Sequence, residues 1–353
     1  MLYQRKNPHG GDTYACPGAL DFSANTNPLG TPDEVSKAAE ESLSRMDRYP
    51  DPYCRELVKA ISRFEGLPET FILCGCGAAE LIFSYCYAVK PKRALELAPT
   101  FSEYSAALDA VGCQIDRWTL KWENGFAVDS SFCDYLQNGQ WDAVFLCNPN
   151  NPTGRLIEPE LLEKIAETCR HKGTRLFVDE CFLDLTDSWR ENSLKGMLTQ
   201  YPGLFILKAF TKSYGMAGLR LGYCLSGDNE LLSDMAGFSQ PWNVSIPAQA
   251  AGVAALKQSD FLEQTRSLIR RERPWLEQSL SALGLDVCPS CTNYLLFYSK
   301  ISLLEKLATR GIVIRDCSNY KGLKKGWYRI AVKRHRENVL LVSALKEILL
   351  EEK

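Results

Sequence analysis

From residue 71 onward, short apolar runs alternate with polar or glycine-rich turns and with stretches of helical periodicity. Phe71-Ile72-Leu73-Cys74 leads through Gly75-Cys76-Gly77 into a helical segment from Ala78, and Ala94-Leu95-Glu96-Leu97 leads into Pro99-Thr100-Phe101. Ala143-Val144-Phe145-Leu146-Cys147 runs into NPNNPTG (148–154) and then a stretch with Leu161, Leu162, Ile165 and Ala166 on one helical face. Leu176-Phe177-Val178 precedes Asp179-Glu180, and Leu204-Phe205-Ile206-Leu207 precedes a loop holding Lys212, Gly215, Gly218 and Arg220. Near-continuous apolar runs suit strands buried on both faces. The alternation therefore predicts an α/β fold, a mostly parallel sheet with helices on both sides.

The flanking regions read differently. Residues 1–30 are expected to form an N-terminal arm rather than a packed element, because His9-Gly10-Gly11-Asp12 and Asn25-Thr26-Asn27-Pro28-Leu29-Gly30 are turn chemistry. A helix is expected next, with Thr31 as N-cap, Pro32 at its first position and Ala38, Ala39 and Leu43 on its apolar face. Leu57, Ile61 and Phe64 mark a second one. Beyond Pro241 one long helical stretch is expected from Ile246 to about Leu283, then strands at Asn293-Tyr294-Leu295-Leu296-Phe297-Tyr298 and Trp327-Tyr328-Arg329-Ile330-Ala331-Val332, then a last helix. The expected division is an arm (1–30), a large α/β domain (31–240) and a smaller C-terminal α+β domain (241–353).

Charge and cysteine usage narrow the function. Lys+Arg at 41 against Asp+Glu at 43 leave a net charge of −2 over 353 residues, which favours neither nucleic acid nor an anionic membrane as partner. A small ligand fits better. Met1-Leu2-Tyr3-Gln4-Arg5 lacks the apolar core of a signal peptide, and the uncharged segment Gly237 to Leu256 contains Pro241, Asn243 and Pro247, unsuited to crossing a bilayer. Fourteen cysteines without regular spacing suggest reduced thiols in a cytoplasm, with Cys147 and Cys181 assigned to packing. Cys288-Pro-Ser-Cys291 is a CxxC and Cys74 and Cys76 flank a glycine, but a structural zinc site needs two CxxC pairs or a pair plus histidines, and with only His9, His171 and His335 in the chain no metal site is expected.

In open α/β sheets ligands bind beyond the carboxyl ends of the strands, and the polar residues of this chain gather there. A lysine just past a buried strand, as Lys212 is, loses hydration, so part of its amine is neutral and able to form a Schiff base. Arg220 offers a planar fork to a phosphate dianion, or simply caps a loop. Gly75-Cys76-Gly77-Ala78 presents backbone N–H groups at a helix start, as a phosphate cradle or only a tight turn. The chain lacks the complete GxGxxG dinucleotide fingerprint there and has no GxxxxGK[ST], which disfavours a nicotinamide dehydrogenase. Asp179 either caps a helix or meets a buried cation such as a protonated pyridine nitrogen. Asn151, in the strand-end NPNNPTG, would then donate to a ring oxygen.

FTKSYGMAGLRLGY (210–223), NPNNPTG and FVDE (177–180) resemble the class I/II aminotransferase group of pyridoxal-phosphate (PLP) enzymes, which implies fold type I and PLP as cofactor. By that resemblance Lys212 is the Schiff-base lysine, Asp179 holds the pyridinium nitrogen, Asn151 the ring hydroxyl, and Phe101 stacks on the ring. Thr211, Arg220 and the Cys76-Gly77-Ala78 turn hold the cofactor phosphate, and Arg329 grips the substrate carboxylate. HGGD (9–12), DFSANTNPLG (21–30), RYPD (48–51), DECF (179–182), RDCSNYKGL (315–323) and WYRIAVKR (327–334) look most like threonine-phosphate decarboxylases of cobalamin synthesis. Histidinol-phosphate aminotransferases share several motifs but usually carry a tyrosine where this chain has Phe182, and lack the HGG arm. The first resemblance implies that His9, the Gly10 backbone, Asn27 and Arg315 bind a substrate phosphate. It also implies that Tyr49 reaches the cofactor phosphate of a neighbouring subunit, hence a homodimer. The expected activity is decarboxylation of an O-phospho-amino acid. The alternatives are transamination, or a ligand-binding regulator on the same fold.

Overall fold

The computed structural model describes residues 9–352. The chain opens with β1 (Leu20–Asp21), α1 (Asp33–Ser42) and α2 (Arg55–Glu65). Then follow β2 (Ile72–Gly75), α3 (Gly77–Val89), β3 (Arg93–Ala98), α4 (Ser102–Ala110), β4 (Gln114–Thr119) and α5 (Ser131–Asn138). Next come β5 (Ala143–Cys147), α6 (Pro159–His171), β6 (Arg175–Asp179), β7 (Leu204–Ala209), the single turn α7 (Phe210–Ser213), β8 (Gly222–Ser226) and α8 (Asn229–Phe238). The C-terminal part holds α9 (Ile246–Ala255), α10 (Phe261–Ala282), β9 (Asp286–Val287), β10 (Tyr294–Tyr298) and α11 (Leu304–Ala308). It ends with β11 (Ile312–Val313), β12 (Arg315–Asp316), β13 (Trp327–Ala331) and α12 (His335–Glu351).

A seven-stranded sheet in the order β2-β8-β7-β6-β5-β3-β4 carries the molecule, parallel except for β8, which runs against both β2 and β7. Every residue of β5, β7 and β8 is buried, as expected of strands packed on both faces, Lys208 and Ser226 being the polar members. Phe145, Phe177 and Phe205 stack across β5, β6 and β7 with ring centroids 4.8 and 4.9 Å apart. Large flat side chains paired across strands fix the register, and that register sets Cys147 level with Asp179 and Asp179 level with Leu207. The strand ends are thereby brought to one line. A second, four-stranded sheet, β12-β13-β10-β9, has its own apolar cluster with Leu276, Leu295, Phe297 and Ile330, while Leu296, Tyr320 and Trp327 join the cluster of the large sheet. No helix among the described residues is long and apolar enough to cross a membrane.

Three expectations are corrected. Residues 20–22 are packed rather than an arm: β1 pairs in parallel with β11, Phe22 is fully buried, and its carbonyl accepts from Ala331 N–H at 2.8 Å. Residues 1–8 of that segment lie outside the described residues. Thr31 does not cap α1. Its hydroxyl donates to the Gly215 carbonyl at 2.9 Å, Pro32 precedes the helix, and Leu43 is exposed while Val35 and Ser42 are buried. The stretch after Ile246 is two helices, not one, because α9 ends in a turn at Lys257 and Gln258 before α10 begins.

Candidate active site

A cavity of about 410 Å³ opens at the carboxyl ends of β5, β6 and β7. A larger depression of about 790 Å³ around Gly18, Arg310 and Glu337 has its charges already paired, Arg310 to Glu351 at 2.6 Å and Lys333 to Glu337 at 3.4 Å. The chemistry therefore belongs to the smaller one.

The apolar run of β7 ends at Ala209 and passes into α7, which presents Thr211 and Lys212 to the cavity. The turn is held from outside, since Asn27 Nδ2 donates to the Ser213 carbonyl at 2.8 Å. Lys212 Nζ lies 5.5 Å from the centre of the Phe182 ring. Burial first, then the guanidinium groups of Arg329 and Arg220, outweigh Cys181 and Asp179 and bring its pKa down to about 8. At neutral pH roughly one amine in ten is then unprotonated, against fewer than one in a thousand for an ordinary lysine.

Asp179, buried at the end of β6, accepts from the Tyr104 hydroxyl at 2.5 Å and from Cys181 N–H at 2.9 Å. Burial pushes its pKa up and these neutral donors work against it. A carboxylate so placed is stabilised by a cation arriving in the cavity. The oxygen of Asn151 accepts from Arg329 Nη1 and, at 3.4 Å, from the Tyr320 hydroxyl, so its Nδ2 is the group left to donate. Arg329 on β13 also donates to the Ser23 carbonyl at 2.9 Å, and Asn25, with its amide oxygen turned toward it, accepts from Nε at 3.1 Å.

Phe101 lines the cavity with Ala78 and Ala79 of α3. Gly77, at φ +79°, lets Arg220 close onto the turn, for a Cβ there would sit 2.5 Å from Arg220 Nη2. Arg315 faces Arg329 across the β12–β13 ladder, lies 5.3 Å over the Tyr320 ring and donates to Asn319 Oδ1 at 2.8 Å. His9 Nε2 stands 2.8 Å from Glu103 Oε1 with its ring 6.0 Å from Phe101. Gly10 packs on Ser23, whose carbonyl a Cβ would meet at 2.5 Å.

Most of the sequence-derived set is thus brought together: His9, Gly10, Ala78, Phe101, Asn151, Asp179, Thr211, Lys212, Arg220, Arg315 and Arg329 all face one cavity. Asn27 does not line it; its amide is used on Ser213 and on Thr265 Oγ1, at 2.9 Å. The Cys76 side chain is exposed and its N–H is given to Glu80 Oε2 at 2.6 Å, so the cradle offers one amide fewer than expected. Tyr49 of this chain lies outside the cavity, exposed and stacked on Trp242 at 4.4 Å. Sequence reasoning missed Tyr104, Tyr320, Asn25 and Glu103. The spacing Phe101–Tyr104, one helical turn at the start of α4, was the available signal for the first.

A pyridine nitrogen, an aldehyde, a ring hydroxyl and a phosphate would each meet matching chemistry here, at Asp179, Lys212, Asn151 and the Thr211–Arg220–Ala78 corner respectively. The model of aminotransferase class I and II matches residues 17–345. Threonine-phosphate decarboxylase of Salmonella typhimurium is 38% identical over 334 residues, covering 94% of this chain and 91% of that one. Histidinol-phosphate aminotransferase 2 of Archaeoglobus fulgidus is 31% identical, covering 93% of each chain. The crystal structure of histidinol-phosphate aminotransferase from Clostridium acetobutylicum superposes with a TM-score of 0.88 at 29% identity, covering 94% of this chain and 99% of that one. With its mostly parallel sheet and lysine-bearing crevice, the chain belongs to the class I and II aminotransferase family and is a PLP-dependent enzyme.

Proposed function

We propose that the enzyme decarboxylates an O-phospho-amino acid, with L-threonine O-3-phosphate as substrate and aminopropanol phosphate, a precursor of the cobalamin nucleotide loop, as product. The observation that carries this reading is a second set of cationic and polar donors beyond Arg329. Arg315 and His9 line the same cavity as Lys212, Arg315 over the Tyr320 ring and His9 beside Phe101, and a substrate with two anionic ends would use both sets. The relative at 38% identity, a threonine-phosphate decarboxylase, supports it as well.

PLP, when bound, supplies the electron sink for the pair left at Cα. Which bond at Cα breaks would be set by how these cavity residues orient the bound substrate. Arg315 and His9 hold the phosphate, Arg329 holds the carboxylate until carbon dioxide leaves, and Lys212 then delivers a proton to Cα. A lysine with a pKa of about 8 both releases and regains a proton near neutrality. Phe182 lines the site with its ring face under that amine.

Incubation of the purified enzyme with phosphothreonine is expected to release carbon dioxide and aminopropanol phosphate. If instead phosphothreonine is inert and histidinol phosphate with 2-oxoglutarate yields glutamate, transamination replaces this reading. The enzyme is further proposed to be a cytoplasmic homodimer in which Tyr49 reaches the cofactor phosphate of the other subunit.

A further inference from the structure

The turn that opens onto the phosphate corner is held from behind by a carboxylate. Glu80, in the first turn of α3, returns Oε2 to the Cys76 N–H at 2.6 Å, and the same oxygen accepts from Asn243 Nδ2 at 2.7 Å. Space around it is tight. A Cβ on Gly75 would sit 3.0 Å from that oxygen, and one on Gly222, the β8 partner of Gly75, would sit 2.7 Å from the Ala78 nitrogen. Asn243 is itself fixed from the other side, because it follows Trp242, which is left-handed at φ +57° and stacks on Tyr49. One oxygen of Glu80 therefore joins three segments: the end of β2, the start of α3 and the loop before α9.

We propose that Glu80, buttressed by Asn243, is a positioning residue of the cofactor phosphate site. By taking the first amide of the turn it directs the turn so that the amides after it, those leading to Ala78 and Ala79 on the cavity wall, are the ones presented to a phosphate. A carboxylate at a helix start also competes with an incoming dianion for the same partial positive charge. Its contribution is accordingly geometric. An amide oxygen in the same place would serve, whereas an empty space would let the turn relax.

The test uses apoenzyme titrated with PLP and, separately, with pyridoxal, which lacks the phosphate. Binding is followed by quenching of protein fluorescence and by the visible absorption of the bound cofactor. Glu80→Ala is expected to weaken PLP about tenfold while pyridoxal changes by less than about twofold, in line with the loss of one charge-assisted contact. Asn243→Ala is expected to move PLP affinity in the same direction by a smaller factor. Glu80→Gln should retain most of the PLP affinity, since its oxygen can accept both hydrogen bonds. Unchanged PLP affinity in both alanine variants overturns the proposal, as does an equal loss for PLP and pyridoxal, or a Gln variant as weak as the Ala variant. Should Glu80→Ala not fold, Asn243→Ala decides on the same two ligands. None of these readouts depends on which substrate the enzyme accepts.

Discussion

Lys208 and Lys212 stand four residues apart, and their surroundings push them in opposite directions. Lys208 is buried among carboxylates, with Asp184 at 2.9 Å, Glu180 at 3.6 Å and Glu65 at 4.0 Å, and these outweigh the cost of burial and hold it firmly protonated. Lys212 is half-buried in the cavity wall, and desolvation together with two arginines pulls it down to about 8. A protonated amine does not attack an aldehyde, so only the second of the pair suits the chemistry. The rate at which apoenzyme captures PLP as a borohydride-reducible adduct should rise with pH around a midpoint near 8. A midpoint above about 10, the value of an exposed lysine, would contradict the electrostatic account. Lys212→Ala should lose the borohydride-reducible adduct and the visible aldimine absorption.

At the level of elements, the residue after Asp179 ties the sheet to what surrounds it. Glu180 is fully buried and accepts from Ser193 Oγ at 2.9 Å and Leu194 N–H at 3.1 Å, linking β6 to the loop before β7. Burial raises its pKa from 4.5 to about 7, against the pull of Lys208. A carboxyl whose pKa rises on folding keeps its proton more tightly in the folded state. Its contribution to stability is full below about pH 4.5 and is lost as pH climbs through about 7. Glu180→Gln should therefore gain on the wild type as pH rises from about 5 to about 8, by on the order of 1–3 kcal/mol, in denaturant melts at each pH. A difference independent of pH would show that Glu180 is already ionised in the fold. Strands such as β5 were legible in the sequence because burial on both faces leaves no polar position to interrupt the run, and β7 was legible by its first four residues, before Lys208. The pairing of β1 was not, since two residues carry no period and their partner lies almost 300 positions away, at Ile312. Residues of the cavity wall were legible where a strand end announces them, as at Asp179 and Lys212. Asn27 misled because an asparagine that meets a ligand and one that meets Ser213 and Thr265 look alike before the chain is folded. Tyr320 escaped notice for the converse reason: its role comes from meeting Asn151 and Arg315 in space.

Over the whole molecule, the chain around Tyr49 presents a short exposed apolar ridge, anchored where Tyr49 stacks on Trp242. Tyr49 is 74% exposed and Met46 75%, with Leu43, Tyr53 and Trp242 exposed alongside, and Tyr49 stacks on Trp242. Exposed aromatic and aliphatic side chains of this kind are what a subunit interface uses, and here they include the residue proposed to serve a neighbouring cofactor site. The same ridge reaches the phosphate corner of its own chain through Trp242, Asn243 and Glu80. In the homodimer proposed above, assembly and cofactor retention should consequently rise and fall together. Met46→Glu places a charge in that ridge without touching any residue of the cavity, and is expected to shift sedimentation from dimer to monomer at micromolar protein. It should also make PLP release depend on protein concentration, with retention at low concentration reduced about tenfold, as loss of roughly one good contact implies. Tyr49→Phe, which keeps the ring but not the hydroxyl, should remain dimeric and show the weaker retention alone. A wild-type enzyme that sediments as a monomer while binding PLP tightly would remove both expectations, and would leave Tyr49 and Trp242 as a surface stack supporting Asn243.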